Sequence, residues 1–280
     1  MNLINNQSHQ LANAFKAACM AELEALKPGN VHVFADGHGM TVQDFILSAE
    51  VVSEVIAKPD LSLGERILLS VEATQKAVNC NTNLGVILLC APLIQAALIE
   101  DKTYLLAKLH QVLVSTTQKD AEDTFKAIHL ANPAGLGSSE QYDIHKSATC
   151  TLLQAMQIAA SRDMIAQQYT NNFVDVLDGL TRYKQTLARW QRPAWAATAL
   201  HLHYMSQFLD SHIVRKYCET IAGLVQNEAM VHEAEFLKVY NPKNYQTALL
   251  TFDTALKKRG LNPGTSADLT VATLLLHALM

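Results

Sequence analysis

With 280 residues, 49% of them hydrophobic, the chain is long enough to bury a sizeable core. A formal net charge of -4 without a long basic run excludes a general nucleic-acid binder, while leaving room for a local phosphate pocket. The apolar run Leu84 to Leu98 is broken by Pro92 and Gln95 and is too short to span a membrane. The polar start, Met1 to Gln10, lacks the apolar core of a signal peptide, so the expectation is a cytoplasmic protein with no membrane partner. Cys19, Cys80, Cys90, Cys150 and Cys218 stand singly and in odd number. That pattern fits neither a disulfide framework nor a paired-cysteine zinc site, and reads as small buried hydrophobes in a reducing compartment.

Strand signals are weak, and Ala, Leu, Gln, Lys and Glu recur at helical spacing. A first helix is expected from about His9 to Leu26, with Leu11, Phe15, Ala18, Cys19, Glu22 and Ala25 near one face. Pro28 forbids its continuation. The run Lys27 to Met40 is therefore a loop, and it holds Gly29, Gly37 and Gly39 beside one amine, one carboxylate (Asp36) and the imidazoles of His32 and His38. A plain connection needs only a few residues, so this long polar loop is the first candidate for function. Thr41 is placed to cap a second helix that buries Phe45, Ala49, Val52 and Ile56. Helices are then expected from about Ser62 to Val78, Asn83 to Ala97, Thr103 to Ser115, Lys119 to Leu130, Gln141 to Ser161 and Met164 to Gln191. Pro193 suits the first turn of the next, which runs to Asp210. Asp210 to Val239, Asn244 to Arg259 and Ser266 to Leu279 complete the series, with Ser211 a weaker cap and Ser266 the cap of the last helix.

The clearest internal break is Asn132 to Gly137, but the helices on both sides read as parts of one core. There is no repeat period and no low-complexity linker. The expectation is an all-α protein, one compact domain of about a dozen helices over residues 1–280, with an active site built by loops at helix ends.

Three further polar clusters lie at predicted helix ends. Asn79 to Gly85 precedes an apolar helix, whose N-terminus is a natural anion site, although Asn81, Thr82 and Asn83 are also good capping residues. Leu209 to Lys216 brings Asp210, His212 and Arg215 within six residues, as a functional group or as a solvated helix start. Lys257 to Asp268 joins a basic helix end to a Pro-Gly turn, as a helix corner or as a phosphate pocket. His201 and His203 point in different directions on one helix and read as packing or surface residues. No Walker A, HExxH, GxSxG or GxGxxG pattern is present, and the Gly135 to Gly137 triplet follows no strand.

Together these clusters resemble the triphosphoribosyl-dephospho-CoA synthase family over nearly the whole chain. The family's Pro-Lys-Pro-Gly-x-Val loop is similar to Leu26-Lys27-Pro28-Gly29-Asn30-Val31, and its Gly-x-His-x-x-Met stretch to Asp36-Gly37-His38-Gly39-Met40, followed by Phe45 and Ser48. Its Asn-Thr-x-x-Gly element matches Asn81, Thr82 and Gly85, its Asp-x-x-x-x-Arg element matches Asp210 and Arg215, and its Asn-Pro-Gly-x-Ser-Ala-Asp-Leu matches Asn262 to Leu269. Family enzymes typically carry His-Lys where this chain has Asn83 and Leu84, and an acid where it has Gly39. The stretch Ala127 to Gly137 is similar to a divergent branch found beside C1-carrier cofactor genes in methanogens and methylotrophs.

The resemblance implies transfer of the triphosphoribosyl group of ATP to a ribose hydroxyl of 3′-dephospho-CoA, with release of adenine. On that reading Lys27, Gly29, Asn30, Asn81, Thr82, Gly85, Arg215, Asn262, Gly264 and Ser266 hold substrate and phosphates. Asp36, Asp210 and Asp268 are the candidates for Mg²⁺ ligation or charge stabilisation, His38 for general acid/base work, and Glu22 for a place in the same pocket. Two other readings stand beside it: a related transferase in tetrahydromethanopterin or methanofuran assembly, acting on another nucleotide-like small molecule, and a non-catalytic helical nucleotide-binding protein. The many apolar helices are also compatible with a homodimer.

Overall fold

The computed structural model describes residues 2–101, 104–133 and 148–280, the side chains of residues 2–5 excepted. Among the described residues are 14 α-helices, one 3-10 turn and two isolated β-bridges, with no strand. The helices are α1 (Asn2–Glu24), α2 (Val42–Ile56), α3 (Leu63–Val78), α4 (Leu84–Leu98), α5 (Leu105–Val114), α6 (Gln118–Ala131) and α7 (Leu152–Ala159). They continue with α8 (Met164–Asn171), α9 (Val174–Trp190), α10 (Pro193–Gln207), α11 (Ser211–Lys216), α12 (Glu219–Lys238), α13 (Gln246–Lys258) and α14 (Gly264–Leu279), with the 3-10 turn at Pro242–Tyr245. The glycines Gly135 and Gly137 and the first part of the helix expected from Gln141 lie outside the described residues.

Helix starts follow local chemistry. Thr41, Ser62, Thr117 and Thr151 each accept a hydrogen bond from the third helical N–H, while Asp44, Glu65, Asp120 and Gln154 reach back to the cap. Two expected helices are split. Asn172 and Phe173 both take left-handed backbone angles and separate α8 from α9, and the chain turns at Tyr217 and Cys218 between α11 and α12. Two expected caps are corrected as well. Asp210, not Ser211, caps α11, and Ser266 lies inside α14, which starts at Gly264.

The large apolar core forms around α4, which is buried along nearly all of its length. A helix apolar on every side can sit only in an interior. Pro92 lacks the N–H that would bond the Leu88 carbonyl, and that oxygen instead accepts the Tyr169 hydroxyl of α8 at 2.6 Å. The last helix, α14, packs on α1, α4, α9 and α10. A smaller apolar cluster gathers α10, α12 and α13 around Phe236, Leu249 and Leu256. One helix, α10, feeds both, Leu200 and Tyr204 facing the first and Leu202 and Met205 the second. Cys90 and Cys150 are buried as expected, whereas Cys218 is exposed. Among the described residues no helix is long and apolar enough to cross a membrane.

Arg66 is 1% exposed and makes no ion pair among the described residues. Its guanidinium donates to the carbonyls of Ile56 (2.6 Å), Lys58 (2.8 Å) and Leu61 (3.2 Å), tying the α2–α3 connection together, and burial pushes its pKa down to about 10. Arg66→Met should lower the unfolding free energy in a urea titration by about 3 kcal/mol, because buried carbonyls lose a charged donor.

Candidate active site

The loop after α1 is held down by residues far away in sequence. Gly29 has a φ of 83°, and a Cβ there would lie 2.7 Å from Pro263 Cδ, so only glycine fits. Its N–H donates to Asp253 Oδ1 at 2.8 Å. The Nδ1 atom of His32 accepts from Phe34 N–H, which places its proton on Nε2, 3.4 Å from Asp253 Oδ1. The Lys257 ammonium donates to both Asp253 and the Ala35 carbonyl, each at 3.1 Å. Burial alone would raise Asp253, but His32, the Gly29 N–H and Lys257 outweigh it and hold the carboxyl below its usual range. Two tight turns result, bridged at His32 and Ala35 and at Gly37 and Met40.

The second turn presents His38. Its Nε2 lies 2.8 Å from the Gly29 carbonyl, which can only accept, so the proton sits on Nε2 and Nδ1 is left as a lone-pair acceptor. Burial lowers its pKa, with Lys216 and Lys257 adding to the shift, so the ring is neutral at pH 7. Lys27 is fully buried beneath the loop, paired with Glu22 and donating to Asn30 Oδ1 at 3.0 Å. Burial pushes Glu22 up and Lys27 down, each opposed by the charge of its partner. Asn30 in turn donates to Asn262 Oδ1 at 2.8 Å.

At the start of α4, Asn81 accepts from the Leu84 N–H and Thr82 bonds Ser48 at 2.6 Å. The adjoining Gly85 has a steric reason to be glycine. A Cβ there would lie 2.0 Å from Asp268 Oδ2, so the carboxylate is pressed onto the first turn of α4. The helix-end anion position anticipated for a phosphate is thus faced by the protein's own side chain. Asp268 makes no hydrogen bond or ion pair among the described residues, whereas Asp210 is saturated. Asp210 accepts from His212 N–H (3.0 Å), Ile213 N–H (3.2 Å), Ser266 N–H (2.8 Å) and Ser266 Oγ (2.9 Å). Burial, together with the nearby Asp210 and Glu22 carboxylates, holds Asp268 well above the usual carboxylate range.

These pieces enclose a cavity of about 710 Å³, in the size range of small-molecule sites. Of the residues expected from sequence, Glu22, Asn30, His38, Asn81, Thr82, Gly85, Arg215, Asn262, Gly264 and Asp268 line it. Lys27, Gly29, Asp210 and Ser266 are not in its wall: Lys27, Gly29 and Asp210 bond the wall residues Asn30, His38 and His212, while Ser266 reaches the wall only through Asp210. Asp36 is exposed, lies outside the wall and accepts from the Val42 N–H at 2.8 Å, at the start of α2. Arg162, Asp163 and Lys216 line the cavity without having been anticipated. Asp163 caps α8 and pairs with Arg215 at 3.0 Å. Only their position between α7 and α8 could have flagged Arg162 and Asp163, and such positions are common. Among the described residues no group of three or more His, Cys, Asp or Glu is arranged to hold a metal ion.

The all-α body thus holds, at its helix ends, a cavity lined by the cations Arg162, Arg215 and Lys216 and by the Asp268 carboxylate. The model of the ATP:dephospho-CoA triphosphoribosyl transferase family matches residues 8–280, and the chain belongs to that family. Its fold is similar to a crystal structure from Archaeoglobus fulgidus described as a triphosphoribosyl-dephospho-CoA synthase, with a TM-score of 0.62 and 20% identity. That likeness covers 84% of this chain and 97% of the other. No curated sequence matches significantly. The chain is therefore a transferase of the triphosphoribosyl type.

Two predictions follow from the geometry. Gly85→Ala must displace the Asp268 carboxylate, and transferase activity should drop roughly 100-fold with the helical circular dichroism unchanged. The second concerns pH. Burial pushes His201 down to about 3 from 6.5, with Lys27 adding, and His212 down to about 4, with Arg215 and Lys216 adding. The unfolded chain binds these protons first as pH falls, so the stabilisation is full above 6.5 and is lost progressively below it. Each histidine costs up to about 1.4 kcal/mol per pH unit there. A His201→Gln protein should show a correspondingly shallower loss of stability on acidification, read by chemical denaturation.

Proposed function

We propose that this cavity joins ATP to 3′-dephospho-CoA and releases adenine, with His38 as the base, Asp268 as the acid, and Arg162, Arg215 and Lys216 receiving the triphosphate. The observation that carries the reading is the pairing, in one cavity, of a neutral imidazole and a carboxylic acid, neither the imidazole Nδ1 nor the acid having a partner among the described residues. Their environments push the two pKa values in opposite directions, which is how one site supplies a base and an acid at the same pH.

The acceptor ribose hydroxyl attacks C1′ of the ATP ribose. The new C1′–O bond forms as the C1′–N9 bond to adenine breaks, and the triphosphate stays on C5′. The hydroxyl proton passes to His38 Nδ1, and the proton that adenine needs in order to leave comes from Asp268. Once ionised, Asp268 faces the positive charge that develops at C1′, where a carboxylate is stabilising. Lys27, Gly29, Asp210 and Ser266 are scaffold on this reading, and Asp36 is the anchor of α2. The anticipated Mg²⁺ ligands do not converge: Asp36 lies outside the cavity and Asp210 has its oxygens filled by donors. Mg²⁺ would enter on the triphosphate oxygens, the usual manner of a cation that keeps several waters.

Incubation with ATP, Mg²⁺ and 3′-dephospho-CoA should release adenine only when the acceptor is present. His38→Gln should lower kcat by about 10²- to 10⁴-fold. The kcat/KM profile of the native protein should fall at acid pH as His38 protonates, and at alkaline pH as Asp268 ionises. The acid limb should vanish in His38→Gln. Adenine release without acceptor, or an unchanged profile in that variant, would sink the assignment.

A further inference from the structure

The reading above gives His38 a proton to take and does not say what aims its ring. The Gly37–Met40 bridge closes the turn, yet it fixes backbone alone. His38 itself takes a left-handed φ of 57°, a conformation that a non-glycine residue keeps only where its surroundings over-determine it. Its ring is tied to the Gly29 carbonyl, nine residues earlier, at 2.8 Å.

Gly29 is in turn held from α13. Its N–H donates to Asp253 Oδ1 at 2.8 Å, and Leu256 on the same helix lies 2.9 Å from where a Cβ would stand. The other side of the loop is gripped by that helix too. Lys257 donates to the Ala35 carbonyl at 3.1 Å, and a Cβ on Gly37, the residue before His38, would lie 3.0 Å from its Cε. Asp253 and Lys257 stand one turn apart and pair with each other at 3.0 Å, so one face of α13 holds both sides of the His38 turn. Neither lines the cavity, and Asp253 is 3% exposed. Burying such a pair brings little net stability, because desolvation offsets the attraction. Its other contacts end on the loop, and what they supply there is a fixed geometry.

We propose that Asp253 and Lys257 are positioning residues for the base: acting through Gly29 and Ala35, they hold the His38 ring with Nε2 tied back and Nδ1 left for the substrate. The proposal rests on the assignment of His38 given above. It concerns two residues that touch no substrate, and it makes their effect on turnover pass through one ring. A reacting group misplaced by about 1 Å can cost roughly 10²-fold in rate.

Asp253→Ala should lower kcat roughly 10²-fold and leave the KM values for ATP and 3′-dephospho-CoA unchanged. Asp253→Asn should restore most of the loss, because the oxygen that accepts from Gly29 also faces Lys257, and an amide oxygen can serve both. Lys257→Met, which leaves the Gly29 bond in place, should repeat the fall in kcat at unchanged KM, and it carries the test if the alanine variant does not fold. In a His38→Gln background Asp253→Ala should cost nothing further, since residues that act through one group are not additive. A native kcat in Asp253→Ala or Lys257→Met, no recovery in Asp253→Asn, or a full additional loss in the double variant overturns the proposal. NMR of nitrogen-labelled imidazoles needs no turnover and separates that outcome from failure of the base assignment. The His38 ring, identified by its absence in His38→Gln, should show the Nε2–H tautomer alone in the native chain and a mixture in Asp253→Ala. If His38→Gln keeps full activity, the base assignment falls and the tautomer change still decides the positioning, an unchanged tautomer counting against it.

Discussion

Asp210 fastens the two helices on which the site depends. Its carboxylate takes two N–H groups at the start of α11 and both the N–H and hydroxyl of Ser266 in α14, across 56 residues of sequence. Hydrogen bonds to a charged acceptor are worth more than neutral ones, roughly 1.5–3 kcal/mol each. They oppose the burial of this carboxyl only in part, and its pKa stays raised above the ordinary value. Because α11 carries Arg215 and Lys216 while α14 carries Asp268, the bond set fixes the spacing between the cations and the free acid. Close approach reinforces it, since a Cβ on Gly264 would lie 2.7 Å from His212 Nδ1.

Carboxylates around the site divide by the number of donors that surround them. Asp253 and Asp210 each gather several and act as joints. Asp268 gathers none among the described residues, and its carboxyl is held well above the usual range. The residue type is the same in all three, and a sequence cannot count donors. Asp210 and Asp268 therefore looked equivalent as candidate ligands, and Asp253 did not stand out at all.

Much of the fold was legible because helix formation is local. Capping pairs such as Thr41 with Asp44 and the all-round apolarity of α4 are written in neighbouring residues. The breaks that were missed lack Gly or Pro: Phe173 adopts a left-handed angle, and the turn at Tyr217 carries no residue that demands one. The loop from Lys27 to Met40 announced itself by its content, yet its bracing by Lys257 and Asp253 spans more than 200 residues. The polar motifs pointed to most of the cavity wall.

The proline in α4 has a consequence for how the molecule comes together. A helix is ordinarily complete once its own residues have coiled, but the Leu88 oxygen is completed by Tyr169, 81 residues later in the chain. Leu88 belongs at once to the core and to the wall of the cavity. The interior and the ligand site are thus finished by the same docking of α8, and neither is separable from the other. A fragment ending before α8 would hold every residue of α4 and still lack the bond that finishes it.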